Sequence, residues 1–213
     1  MNFSIHKVLR VSTIFALSAV LMMGLSVAHA KNIKKQNLLE LMTHTDSILV
    51  GTVSDKTDGF QQGLPFTEIT IDVGQSIKGD HGQSFAFRQF GLIKPRSMGD
   101  GRVNLMITPA GWPTYTVGEQ VLLFLHKPAS ETGFQTTAGL TQGKFTISGD
   151  QIVNGIGNDA LFDGLKIEGQ SGKTFADLVN QPGGAYAAEA FLSLVRNAVE
   201  EQWIENGVLT HEK

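Results

Sequence analysis

The chain has 213 residues, a formal charge of −3, 41% hydrophobic residues and no cysteine. The missing cysteine excludes thiol nucleophiles, Cys-bound zinc and disulfides, so the fold rests on packing alone. The well-mixed, mildly acidic balance argues against nucleic acid, whose phosphates require clustered Lys and Arg.

Residues 1–30 carry the pattern of a cleavable secretory signal. Lys7 and Arg10 supply the positive start, Val11 to Val27 is almost wholly apolar, and Ala28-His29-Ala30 is an A-x-A cleavage site. The apolar run is too interrupted for a comfortable span, which takes ~20 predominantly apolar residues. No cysteine follows it, so a lipoprotein signal is not expected. The expectation is export to the periplasm or beyond, with cleavage after Ala30 and no membrane span afterwards. The leader carries two of the 17 Lys and Arg and none of the 20 Asp and Glu, so the remainder carries −5. That remainder is long enough for one domain with a core of its own.

Asn37 to His44 places Leu38, Leu41 and Met42 at helical spacing, with Asn37 as N-cap. Ser47 to Val53 is β-rich, and the polar stretch Ser54 to Gly63 is expected to close it as a loop. Phe66 to Val73 alternates, with Ile69, Ile71 and Val73 on one face and Phe66 out of phase. Gly79-Asp-His-Gly82 reads as a tight turn, making Ser84–Arg88 an antiparallel neighbour of Phe66–Val73. Gly91 to Glu119 is irregular, with Pro95, Pro109 and Pro113; Val103 to Thr108 is a possible strand inside it. Such long segments are often functional loops.

Gly118 to Leu125 is the most apolar run after the leader and reads as a central strand buried on both faces. Phe134–Leu140 and Lys144–Ser148 read as a hairpin across Thr141-Gln-Gly143, and Gly149-Asp150 turns into a strand over Gln151–Val153. Thr174-Phe-Ala-Asp177 fits a weak capping box opening a short helix to Val179. Ala185 to Trp203 is an amphipathic helix whose stripe holds Phe191, Leu194, Val195, Ala198, Val199 and Trp203. The expected fold class is α+β, mainly β. It is a small OB-like antiparallel barrel or sheet with a short N-terminal helix and an amphipathic C-terminal helix, with a β core over about 46–154.

No catalytic set stands out. His44, His81, His126 and His211 are scattered without metal-ligand spacing, and there is no G-x-S-x-G elbow. Ser171-Gly-Lys-Thr174 resembles the end of a P-loop, but Ile167 occupies the position of its first glycine. Asn154 to Asp159 superficially resembles a calcium loop without the D-x-[DN]-x-[DN]-G spacing. No cofactor and no metal are expected.

Two groups of residues carry a family resemblance over about 37–148. One is Asp46-x-Ile-Leu-Val-Gly-Thr-Val53 with Thr67-x-Ile-Thr-Ile-Asp-Val73 and Ile77-Lys-Gly-Asp80. The other is Pro113-x-Tyr-x-Val-Gly-Glu-x-Val-Leu-Leu-Phe-Leu125 with Gly139-Leu-x-Gln-Gly-Lys-Phe145. Together they resemble a widespread group of exported bacterial proteins with a G-E-x-V-L-L-F-L and Q-G-K-F signature. Tyr115 stands where that group usually has Phe. The order is similar to the inhibitor-like OB barrels of netrins and tissue metalloprotease inhibitors. Those inhibitors meet zinc through an N-terminal cysteine, so without cysteine their mode of action does not carry over.

The functional expectation is therefore a non-catalytic exported module, protein-binding or inhibitor-like, that meets another exported protein through the 91–119 loop. Phe90, Trp112 and Tyr115 are its expected contact residues, since aromatics supply large contact area at low entropy cost; alternatively Trp112 and Tyr115 plug a barrel end. A carboxylate hydrolase of cell-wall glycans or peptides is one alternative, and an assembly protein docking through its C-terminal helix is another.

Overall fold

The computed structural model describes residues 34–212; the signal-peptide expectation lies outside them. Helix α1 (Leu38–Thr43) opens with a complete capping box. The Asn37 side chain accepts the Glu40 N–H at 3.0 Å and the Glu40 carboxylate accepts the Asn37 N–H at 3.2 Å. This reciprocal cap lets six residues hold a helix and press Leu38, Leu41 and Met42 into the core.

Strands β1 (Ser47–Gln61) and β2 (Leu64–Lys78) form a long antiparallel ribbon joined by Gln62 and Gly63. Both turn residues have positive φ, 50° and 78°, the geometry whose twist matches a two-residue hairpin. The polar stretch Ser54 to Gly63 is thus not the expected loop. It continues β1, because its side chains alternate between the two faces of a ribbon that is leaving the core. Three register shifts, near Leu49, Gly51 and Ser54, bend the ribbon. At the second shift the strands come so close that a β-carbon on Gly51 would strike the Asp72 carbonyl and the Ile71 side chain.

Strand β3 (Ser84–Phe90) pairs antiparallel with β2 across the Gly79–Gly82 turn, as the sequence predicts. The expected strand over Val103–Thr108 shrinks to a two-residue pairing of β4 (Arg96–Ser97) with β5 (Val103–Asn104). Strand β6 (Gln120–Leu125) lies between β1 and β7 (Lys144–Ser148), and β7 pairs with β8 (Gln151–Asn154). Residues Leu165–Ile167 form β9, Gly169–Thr174 α2, Ala176–Val179 α3, Tyr186–Ala187 β10, Ala188–Glu200 α4 and Leu209–His211 β11. The main sheet has seven strands in the order β10-β8-β7-β6-β1-β2-β3, and β9 pairs with β11 apart from it. Its pairings are antiparallel. An α+β, mainly β protein is what the residues predicted.

The barrel alternative does not hold, because the edge strands of the sheet, β3 and β10, do not pair with each other. Residues 134–138 run between the end of β6 and β3, yet only the Gln135 N–H reaches β3, at the Arg88 carbonyl (2.7 Å). The expected Phe134–Leu140 strand fails for a local reason. Gln135 donates to the His126 carbonyl (2.7 Å) and the Thr137 hydroxyl to the Leu140 carbonyl (2.5 Å), so side chains compete for the backbone with a regular ladder. A short 3₁₀ turn, Leu140–Gln142, follows instead of a hairpin. The Thr174 capping box is also absent. That hydroxyl donates backwards to the Gln170 carbonyl at 3.1 Å and helps close α2.

Strand β6 is buried on both faces and divides the core. Leu122 and Phe124 join Phe145, α1 and α4 on one side; Val121, Leu123 and Leu125 join Leu49, Val53, Ile69, Ile71, Phe87 and Tyr115 on the other. The predicted C-terminal stripe is consumed by the first cluster: Phe191, Leu194, Val195, Ala198 and Trp203 are all buried. Helix α4 ends at Glu200, and Trp203 follows in a turn, its indole N–H bound to the Glu201 carboxylate at 2.8 Å.

Candidate functional site

The second core cluster runs out at one end of the β1–β2–β3 face. In the register, Val53, Ile71 and Phe85 form one row and Lys56, Ile69 and Phe87 the next; Asp58, Thr67 and Gln89 form the last. The face therefore turns from apolar to polar as it leaves the core. Each polar side chain there grips the backbone of the 91–115 segment. The Thr67 hydroxyl donates to the Gly91 carbonyl (2.7 Å), the Gln89 amide to the Pro113 carbonyl (3.0 Å), and the Lys56 ammonium to the Tyr115 carbonyl (2.6 Å). Asp58 accepts the Ile93 N–H at 2.8 Å and pairs with the Arg96 guanidinium. Thr67 and Gln89 are both 2% exposed. The irregular segment is thus a cap nailed over the end of the sheet, its backbone satisfied by side chains from β2, β3 and the outer half of β1, the strand that the sequence expectation ends at Val53.

Beside the exposed Lys94, Asp100 and Arg102, the cap presents a series of apolar side chains outward. Ile93, Met98, Val103, Leu105, Met106, Ile107 and Val117 are exposed, and Leu105 reaches 70%. The other large apolar side chains standing exposed among the described residues, Phe60 and Leu64, flank the β1–β2 turn. That turn is tied to the cap, with the Arg96 guanidinium 5.7 Å from the centre of the Phe60 ring. Monomeric surfaces scatter their exposed hydrophobics, so this grouping makes the cap and hairpin tip the candidate interaction surface.

The three expected contact residues have different places. Tyr115 is 2% exposed and its ring packs edge-on to Phe87 at 5.7 Å, as part of the core. Its hydroxyl is buried without a hydrogen-bond partner, and burial, then the Glu119 charge, push its pKa far above the usual tyrosine range. Tyr115 thus lies in the core and not on the exposed face of the cap. Phe90 and Trp112 are half-buried and face each other at 6.5 Å, where they support the base of the cap. Sequence reasoning favours aromatics and passes over the exposed aliphatic residues; the signal available for them is Val103-Asn-Leu-Met-Ile107, an apolar run between glycines and prolines.

The cap is fastened at its far end by a second polar knot. Glu119 accepts the Lys144 ammonium (2.5 Å) and the Thr146 hydroxyl (2.6 Å) through Oε1, and the Thr116 N–H through Oε2 (3.1 Å). Burial alone would raise this carboxyl. The hydrogen bonds from Lys144 and Thr146 and the Lys144 charge outweigh it and hold the pKa below 4.5. The Lys144 ammonium also sits 5.1 Å from the Tyr115 ring centre.

Elsewhere the chemistry is sparse. A cavity of about 510 Å³ between the sheet and the start of α4 has Asp72, Asp150 and Glu189 in its walls, all exposed to solvent. Among the described residues no three His, Asp or Glu side chains are gathered so as to hold a metal. The calcium-like segment is a structural knot: the buried Asn158 amide donates to the Ile152 and Gly184 carbonyls, and its oxygen accepts the Asn154 N–H. No described helix is long and apolar enough to cross a membrane. No protein-family model matches this chain, and neither does any curated protein or solved structure.

Proposed function

We propose that the chain is an exported, non-catalytic module that holds another exported protein at the capped end of its sheet. The observation that carries this reading is the concentration of exposed aliphatic side chains on the cap and the neighbouring hairpin tip. A rigid scaffold with a pinned backbone lowers the ordering cost of binding, because the cap does not have to organise when the partner arrives. The leader-like first 30 residues and the resemblance to exported bacterial proteins support the compartment.

Placing charges on the cap tests this. The double variant Leu105→Glu, Met106→Lys changes two exposed side chains, and such surface changes alter stability by only about 0.5 kcal/mol. The expected result is an unchanged unfolding midpoint with loss of the partner that the unaltered protein retains from its own cell envelope. Retention of the same partner by the charged variant would place the contact elsewhere.

A further inference from the structure

Beneath the apolar cap lies a cavity of about 220 Å³, walled by Lys56, Thr67, Gln89, Leu92, Ile93 and Ile107 among others. We infer that it takes the free C-terminal residue of a peptide chain, an N-acylated α-amino carboxylate with an apolar side chain. This rests on the partner-binding reading and says which part of the partner enters.

The size is below the ~300–1,000 Å³ that houses a drug-sized ligand, so one residue end is the right scale. The polar groups are more selective. Gln89 is 2% exposed, and its Nε2 is engaged by Pro113, which fixes the amide orientation; its Oε1 is buried with no partner. An unpaired buried acceptor is costly and calls for a donor from outside. Lys56 gives one hydrogen bond, to the Tyr115 carbonyl, and forms no ion pair with the acids of the described residues. An ammonium has three donors, so it has capacity for an anion. Asp58, the acid in the next row of that face, is already paired with Arg96.

The residues that wall the cavity thus include a cation, a side chain with a lone acceptor and several aliphatic groups. A C-terminal residue brings the three complements on one Cα: carboxylate, amide N–H and side chain. A phosphate would satisfy Lys56 and leave Gln89 unpaired. An amine would serve Gln89 and be repelled by Lys56. The apolar cap around the mouth would then contact the residues preceding the terminus.

Calorimetric titration of residues 31–213 with an acetylated pentapeptide ending in a free valine, and with its C-terminal amide, tests this without altering the protein. Losing a charge-assisted hydrogen bond costs about 1.5–3 kcal/mol, or roughly ten- to a hundredfold in affinity, so the acid should bind that much tighter than the amide. N-acetylvaline separates the sources: binding weaker than the pentapeptide assigns a chain end, and equal binding overturns the chain-end assignment. Lys56→Met should remove the acid–amide difference and Lys56→Arg should keep it, each checked for an intact unfolding transition. Equal affinity of acid and amide, or no binding of either, overturns the inference. Loss of the envelope partner on charging the cap, with peptide binding absent, would leave the docking reading standing and sink this one alone.

Discussion

Replacing Lys144 with Met should cost about 3–5 kcal/mol in denaturant unfolding, because it strands a buried carboxylate. The Glu119 and Lys144 side chains are only 15% and 12% exposed, and each is the other's ion-pair partner. Met fills similar volume, so the loss is electrostatic rather than a cavity. Glu119 would keep the Thr146 hydroxyl and the Thr116 N–H, which soften the penalty without cancelling it. Adding Glu119→Gln to Lys144→Met removes the stranded charge and should recover most of the loss. The pH dependence gives an independent check. A carboxyl held below its unfolded pKa contributes stability that is present above the unfolded value and lost as pH falls through the folded one. The unaltered protein should therefore lose this contribution on acidification below about pH 4.5, whereas Lys144→Met should show a smaller acid-side loss. A single variant as stable as the parent would contradict the knot's role in closing the cap.

Phe145→Ala is the second large effect, again about 3–5 kcal/mol. Phe145 is 0% exposed and its ring lies 5.6 Å from Phe124 on β6 and 5.0 Å from Phe191 on α4. It is the point where the central strand, its neighbour and the C-terminal helix meet, so truncation leaves a void that three elements would have to close together. Total stabilities of domains are about 5–15 kcal/mol, so the loss should be visible as a large drop in the urea midpoint at unchanged slope. Phe145→Leu should recover most of it. A loss below about 1 kcal/mol for the alanine variant would mean that α4 is not anchored on this face.

These two positions are also where the sequence was most readable. Lys144 and Phe145 sit in the Q-G-K-F segment, and β6 was legible on both faces because a short, wholly apolar run has only a buried strand or helix to occupy. Asn37 and Glu40 announced their helix through cap chemistry, and α4 through its 3.6-residue stripe. The outer half of β1 was illegible for the opposite reason. Its inward residues, Lys56 and Asp58, are polar because they meet loop carbonyls and N–H groups instead of a core, so hydrophobic alternation fades just where the site begins. Likewise Gln89 falls one residue past the expected Ser84–Arg88 strand, and its role depends on Pro113, distant in sequence and met only through the fold. Tyr115 left contact and plug both open, because an aromatic in a Pro- and Gly-rich segment suits either; only the fold shows that it turns inward.

The central claim, that the aliphatic cap is the partner contact, is tested most directly by placing a photo-reactive benzoylphenylalanine at Leu105, the most exposed apolar position of the cap, and irradiating living cells. A control carries the same group at Glu200, exposed at the end of α4. The account predicts one discrete protein adduct from position 105 and none from 200. Adducts of equal pattern from both positions, or from 200 alone, would contradict it.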